Sequence, residues 1–415
     1  MQKRSFLAGG TLLYALLIAT LIALICSGLI AALSMELLVL VEWDLQEKLM
    51  RNSRSGLALL LGEGSASQEA TIDLYGRGDD SVTICRSRWG AFPLARSRSF
   101  KATPSGNQSH VQIALLGDRP LPGALYLADR KMALSLSGRT QIGGSAWLPA
   151  AGVRAGYVDG RPFTGEHLVD GDQLRSSNRL PEPESSWLDW IRQMRHRGRS
   201  MQKTSSLPDS LQQSFADSSR CFHLEYAYLN HHVLKGHVIV WADSMIVVGG
   251  NAKLEDICLL APSIVFEPGF NGAVQSYASD SLRVESDVQL QYPSVVAVIP
   301  IPDQKHPASL LLAAGSYLQG LAYCRTLPSG TSSSTLTIEA SARVVGEVFA
   351  EDILALSGKV FGRVSCREFK LQTPNSSYQN YLYDAEILPK RRPSGYLSPH
   401  FLAGGQENGV VKWMY

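Results

Sequence analysis

The sequence predicts a mainly β protein carried on one long N-terminal helix, and three observations predict it. Residues 6–35 contain no charged side chain. Past residue 61 the helical period gives way to short Val, Ile and Leu runs separated by Gly, Asp, Ser and Pro, the pattern of strands and turns. Near the C-terminus Val344-x-Gly346-x-Val348 recurs sixteen residues later as Val360-x-Gly362-x-Val364. That interval suits one turn of a β-solenoid, with alternate apolar side chains inward and glycine at a corner. The fold class is therefore a transmembrane α-helix followed by parallel β-solenoid (β-helix)-like coils in two parts, with an antiparallel β-sandwich as the alternative.

Composition narrows the function classes. The 415 residues are 45% hydrophobic, enough for a sizeable core, and 39 basic residues nearly cancel 37 acidic ones. No global field recruits nucleic acid. Six cysteines without a Cys-x-x-Cys pair give neither a disulfide-stapled scaffold nor a usual zinc or redox pattern.

Taken in order, residues 1–5 form a leader with Lys3 and Arg4. Residues 6–62 form the helix, whose uncharged stretch of thirty exceeds the roughly twenty needed to cross a bilayer. Glu36, Glu42, Asp44 and Glu47 follow it, so the expected topology is a cytoplasmic N-terminus and an exported remainder. Leu38, Val41, Leu45 and Leu49 keep helical spacing beyond the membrane and are the expected helix-packing and assembly residues.

Residues 63–173 read as a first β-rich domain. Residues 174–220 read as a linker containing a short helix, with Trp187, Leu188, Ile191 and Met194 on one face and Ser185 or Ser186 as its cap. Arg192, Arg195, Arg197, Arg199 and Lys203 there form a basic patch. It is read either as a contact for anionic lipid, glycan or an acidic partner, or as a solvated linker face.

Residues 221–372 read as the solenoid-like domain and 373–415 as a C-terminal capping segment. The repeat residues are Gly320, Val344, Gly346, Val348, Val360, Gly362 and Val364. Cys324, Ala350 and Cys366 occupy equivalent places in successive copies, which predicts reduced core thiols too far apart for a disulfide. A Gly/Ser/Thr-rich loop over 328–335 interrupts the run.

The basic leader, the small step at Gly9 and Gly10, the apolar half-helix and the amphipathic half-helix resemble the N-terminus of type IV pilins and pseudopilins. Ala15 stands where such subunits carry a glutamate. Residues 342–371 resemble bactofilins and related polymer-forming β-helical proteins. Ala124–Asp129 and Val410–Trp413 resemble uncharacterised membrane-anchored β-solenoid proteins of Gram-negative bacteria. These resemblances imply a bacterial inner-membrane, single-pass protein with its C-terminal region in the periplasm or at the cell surface. They also imply a membrane partner and homo-oligomers or other envelope proteins as further partners.

No nucleophile elbow, phosphate-binding loop or zincin helix is present in the sequence. His223, His231, His232 and His237 cluster along the chain but lack ligand spacing, and Asp243, Asp256 and Asp280 border strands at unequal intervals, as turn residues do. The expectation is a non-enzymatic envelope structural or assembly protein without cofactor or metal, in the manner of a pseudopilin-like subunit of an export or appendage complex. The alternatives are a carbohydrate-active or carbohydrate-binding β-helix and a bactofilin-like cytoskeletal polymer.

Overall fold

The structure, a computed structural model, describes residues 9–62, 69–76, 81–103, 106–204, 206–302, 304, 306–327, 333–405 and 408–414. The leader with Lys3 and Arg4, and residues 328–332 of the 328–335 loop, lie outside the described residues. The protein is mainly β, with 50% of its residues in strands, and it begins with the helix α1, Gly9–Gly62. The chain divides into two units. The first comprises Met1–Leu59, Glu69–Ile84 and Ser97–Val111; the second comprises Leu60–Gln68, Cys85–Arg96 and Gln112–Tyr415.

In the first unit α1 is long and apolar enough to span a membrane. Large apolar side chains are exposed along it from Leu12 to Trp43. Farther along, Leu49, Asn52, Ser53 and Leu57 are buried, and Ser99 Oγ donates to the Leu49 carbonyl at 2.6 Å. The unit's sheet is antiparallel, with Ala70 opposite Ile84 and Asp73 opposite Ser81. In this unit the second half of the strand Phe92–Thr103 buries the small residues Ser97 and Ser99.

The second unit is dominated by parallel pairing in a sheet that closes on itself. Val344 pairs with Val360, Gly346 with Gly362 and Val348 with Val364, so the sixteen-residue repeat is the step from one strand to the next. Gly346 also pairs with Gly320, and Gly320 with Ser294. Cys324 pairs with Ala350, and Ala350 with Cys366; both thiols are buried and free. Burial pushes the Cys324 thiol up to about 12, which removes thiolate character at neutral pH.

Residues 253–266 form one strand, Lys253–Phe266, whose pairing shifts register between Ala261 and Ser263. The chain bends at an irregularity instead of ending in a turn. Side chains alternate about the sheet. Leu259, Val296, Ala322, Val348, Val364 and Leu125 belong to the core cluster, whereas the next column holds Trp241, Leu260, Tyr277, Ala297, Tyr323 and Phe349, outside that cluster.

Pairing also joins segments far apart in sequence. Val364 pairs with Leu125 and Cys366 with Leu127; Leu125 pairs with Ala146 and Ala146 with Gln173. Residues 125–175 thus extend the sheet beyond the strand Lys359–Gln372. The sheet does not end near Leu371, which pairs with Tyr378 in the antiparallel strand Ser377–Gln379. Within the expected capping segment, Glu386–Ile387 pairs in parallel with Gln141–Ile142, and Tyr381–Tyr383 pairs in parallel with Ser135–Ser137 in a separate three-stranded sheet.

Candidate anion-binding groove

The segment 174–220 carries the helix α2, Ser185–Ser200. Its cap differs from the expected serines: Glu184 takes the N-cap position, and its Oε1 accepts from Ser186 Oγ at 3.0 Å and Ser186 N at 3.4 Å. A carboxylate there also complements the helix dipole. Trp187, Ile191 and Gly198 are buried on one face, while Leu188 and Met194 are half-buried.

This helix lies against the outward column of the parallel sheet. Trp187 meets Tyr323 at 4.9 Å and Tyr277 at 6.4 Å between ring centroids. Arg195 Nη2 donates to the Ala278 carbonyl at 3.0 Å. A Cβ on Gly198 would come within 2.7 Å of the Trp241 ring, so only glycine lets the helix approach that closely. Tyr323 and Trp241 are four strand steps apart in one column, about 19 Å at ~4.8 Å per step. Eleven helical residues cover about 17 Å. The segment expected as a linker therefore runs across the strands and carries the chain from strand Gln173–Arg175 to Arg220–Leu229.

Beside α2 opens a groove of about 500 Å³, within the ordinary range for small-molecule sites. Its apolar lining is Leu188, Ile191, Ile299, Ile301 and Leu327, and its cations are Arg192, Arg195, Arg199 and Arg325. Burial lowers the Arg195 guanidinium to about 10; Arg199 and Arg325 push the same way and Asp280 opposes. The group stays cationic at neutral pH, so its charge faces the groove from a poorly solvated position. Arg192 is held by Asp189 at 2.6 Å, and Arg325 lies 3.9 Å from Glu351.

The structure divides the sequence-predicted basic patch. Arg192, Arg195 and Arg199 line the groove; Arg197 is exposed in the last turn of α2 and does not line it. Lys203 joins a different cluster, paired with Glu225 and, at 2.8 Å, with Asp243. Arg325 was not anticipated, because it follows the strand Tyr317–Cys324 and reaches the groove only through long-range strand pairing.

The remaining candidates are dispersed. Leu49 is buried against its own sheet and Leu45 is half-buried, whereas Leu38 and Val41 are 69% and 66% exposed. His223 bridges the Met201 carbonyl at 3.0 Å and Asp243 Oδ1 at 2.9 Å; His237 lies between the Phe215 and Trp89 rings, each 4.7 Å away. Asp256 is held by Lys412 at 2.7 Å, and Asp280 accepts from Ser279 Oγ at 2.7 Å. Among the described residues no three His, Cys, Asp or Glu side chains are grouped to hold a metal ion.

Burial of the Asp243 carboxyl opposes ionisation, but hydrogen bonds from Lys203, His223 and Trp241 outweigh it and hold the group down at about 2. The folded value lies below that of an unfolded aspartate, about 3.9. Its stabilisation is therefore complete above the unfolded value and disappears as pH falls through about 2. Asp243→Asn is expected to lower the unfolding midpoint near neutral pH and to converge on the wild type as pH approaches 2, followed by circular dichroism. An equal deficit across that range would mean that the carboxylate charge is not what stabilises this corner.

No family model, curated protein or solved structure matches this chain.

Proposed function

We propose that the chain is a single-pass structural protein of the bacterial cell envelope, in which α1 is the anchor and the parallel strands form a β-solenoid scaffold on the exported side. The observation that carries this reading is the unbroken parallel pairing from Arg220–Leu229 to Lys359–Gln372 and on to Gln173–Arg175. A stack of strands in which each touches only its neighbours is a rigid, extendable element. Two carboxylates beside strands are engaged within the protein, Asp243 with His223 and Lys203 and Asp256 with Lys412.

Homo-assembly follows from the helix. Leu38, Val41 and Trp43 keep apolar surface exposed just where the uncharged stretch ends, and a second copy of α1 can cover it. Val41→Asp is expected to reduce the size of the complex on a native gel in mild detergent while leaving the strand signal in circular dichroism unchanged. A complex of unaltered size would remove this interface.

Protease treatment of intact spheroplasts tests the placement. Degradation of the β region, leaving a membrane-protected N-terminal fragment, is the expected result. Protection of the whole chain until the membrane is lysed would place the β region in the cytoplasm and favour a bactofilin-like polymer.

A further inference from the structure

We propose that the groove beside α2 is a binding site for a single-chain lipid phosphate: one acyl chain carrying a phosphate monoester. Two properties of the groove select this chemistry together. Its floor is apolar, formed by Ile191, Ile299 and Leu327 among others, and four guanidiniums from Arg192, Arg195, Arg199 and Arg325 face the same space. A polar anion alone would leave the floor wet, and a neutral chain alone would leave the charge of Arg195 and Arg199 uncovered, Arg192 and Arg325 already facing Asp189 and Glu351.

Charge and volume narrow the choice further. A phosphate monoester carries about −1.5 to −2 at neutral pH and accepts paired hydrogen bonds from guanidinium forks, so it balances this set better than a single carboxylate. The Arg195 guanidinium is already desolvated and fixed by its bond to the Ala278 carbonyl, so little ordering is needed there when an anion arrives. A groove of about 500 Å³ is of the ordinary size for one small ligand, which favours a single chain with its headgroup. All of these residues lie in one unit of the chain, and the site does not depend on the scaffold reading.

The test uses the full chain in nanodiscs of neutral phosphatidylcholine, titrated by calorimetry with dodecyl phosphate against empty nanodiscs. Saturable binding at one site per chain is expected, with dodecanol and inorganic phosphate each at least about tenfold weaker. Arg199→Glu and Arg192→Glu change exposed side chains and are expected to weaken dodecyl phosphate by about tenfold or more, the loss of one charge-assisted hydrogen bond. Ile301→Asn is expected to weaken dodecyl phosphate while leaving inorganic phosphate unaffected. Equal affinity for dodecanol would overturn the role of the arginines, and equal affinity for inorganic phosphate would overturn that of the floor. Unchanged binding in both arginine variants would overturn the site itself.

Discussion

Gly346→Ala is expected to destabilise the β region by about 4 kcal/mol or more, the range reserved for strain and overlap that a core does not relax. Gly346 has φ +138°, which L side chains rarely adopt, and an added Cβ would overlap both the Gly320 carbonyl oxygen and the Tyr396 hydroxyl. Tyr396 donates to that same carbonyl at 3.1 Å, so the substitution also displaces the C-terminal segment from the sheet. Gly395→Ala is the matched control, since nothing lies within 4 Å of its added Cβ, and it is expected to change stability by about 0.5 kcal/mol or less. Urea unfolding of the full chain in nanodiscs, followed by the strand signal in circular dichroism, separates the two. Equal midpoints for both variants would mean that the glycine column is not closely packed.

Trp187→Ala is the second large effect, with an expected cost of about 3–5 kcal/mol. The indole is fully buried and meets Tyr323, Tyr277 and Phe401 edge to face at 4.9, 6.4 and 6.2 Å. Its removal takes away the apolar area and the three ring contacts at once. Because α2 is pinned at this residue, limited proteolysis is expected to cut between residues 185 and 204 in the variant and not in the wild type. A wild-type cleavage pattern would show that the helix is held elsewhere, by Ile191 or by the Gly198 contact with Trp241.

What could be read from the chain before folding was whatever is encoded locally. The uncharged run and the helical period after it place α1, Gly9–Gly62. The repeat of Val344 and Gly346 at Val360 and Gly362 gave the strand register correctly, because neighbouring strands that pack the same way keep the same spacing. It also placed Cys324, Ala350 and Cys366 in one column. Within Phe92–Thr103 the buried positions pass from Phe92 and Leu94 to Ser97 and Ser99, and the small residues of its second half give no Val or Ile alternation to read.

The pairing of Leu125 with Val364 has no local signature at all. It joins residues more than two hundred positions apart, and only the end of one strand stack meeting another decides it. The same gap explains the groove. Arg192, Arg195 and Arg199 were visible as a basic run on one helix. Arg325 and the Ile299–Pro302 wall arrive from strands whose neighbours were unknown. Ser, Pro and Arg content made residues 174–220 look like a linker, although Trp187 and Ile191 already marked one face for burial.

Stacking of the parallel strands is the claim on which the scaffold reading rests, and a spin-label distance tests it most directly. Tyr228, Val247, Val265, Arg283, Leu311, Thr337 and Ala355 form one column of successive partners. Nitroxides at Tyr228 and Ala355, in a full chain with Cys26, Cys85 and Cys221 replaced by serine, are therefore six steps apart. At ~4.8 Å per step the backbone separation is about 29 Å, and a narrow distribution centred near that value is the expected result. A dominant distance below about 20 Å, which six such steps cannot produce, would contradict the stack.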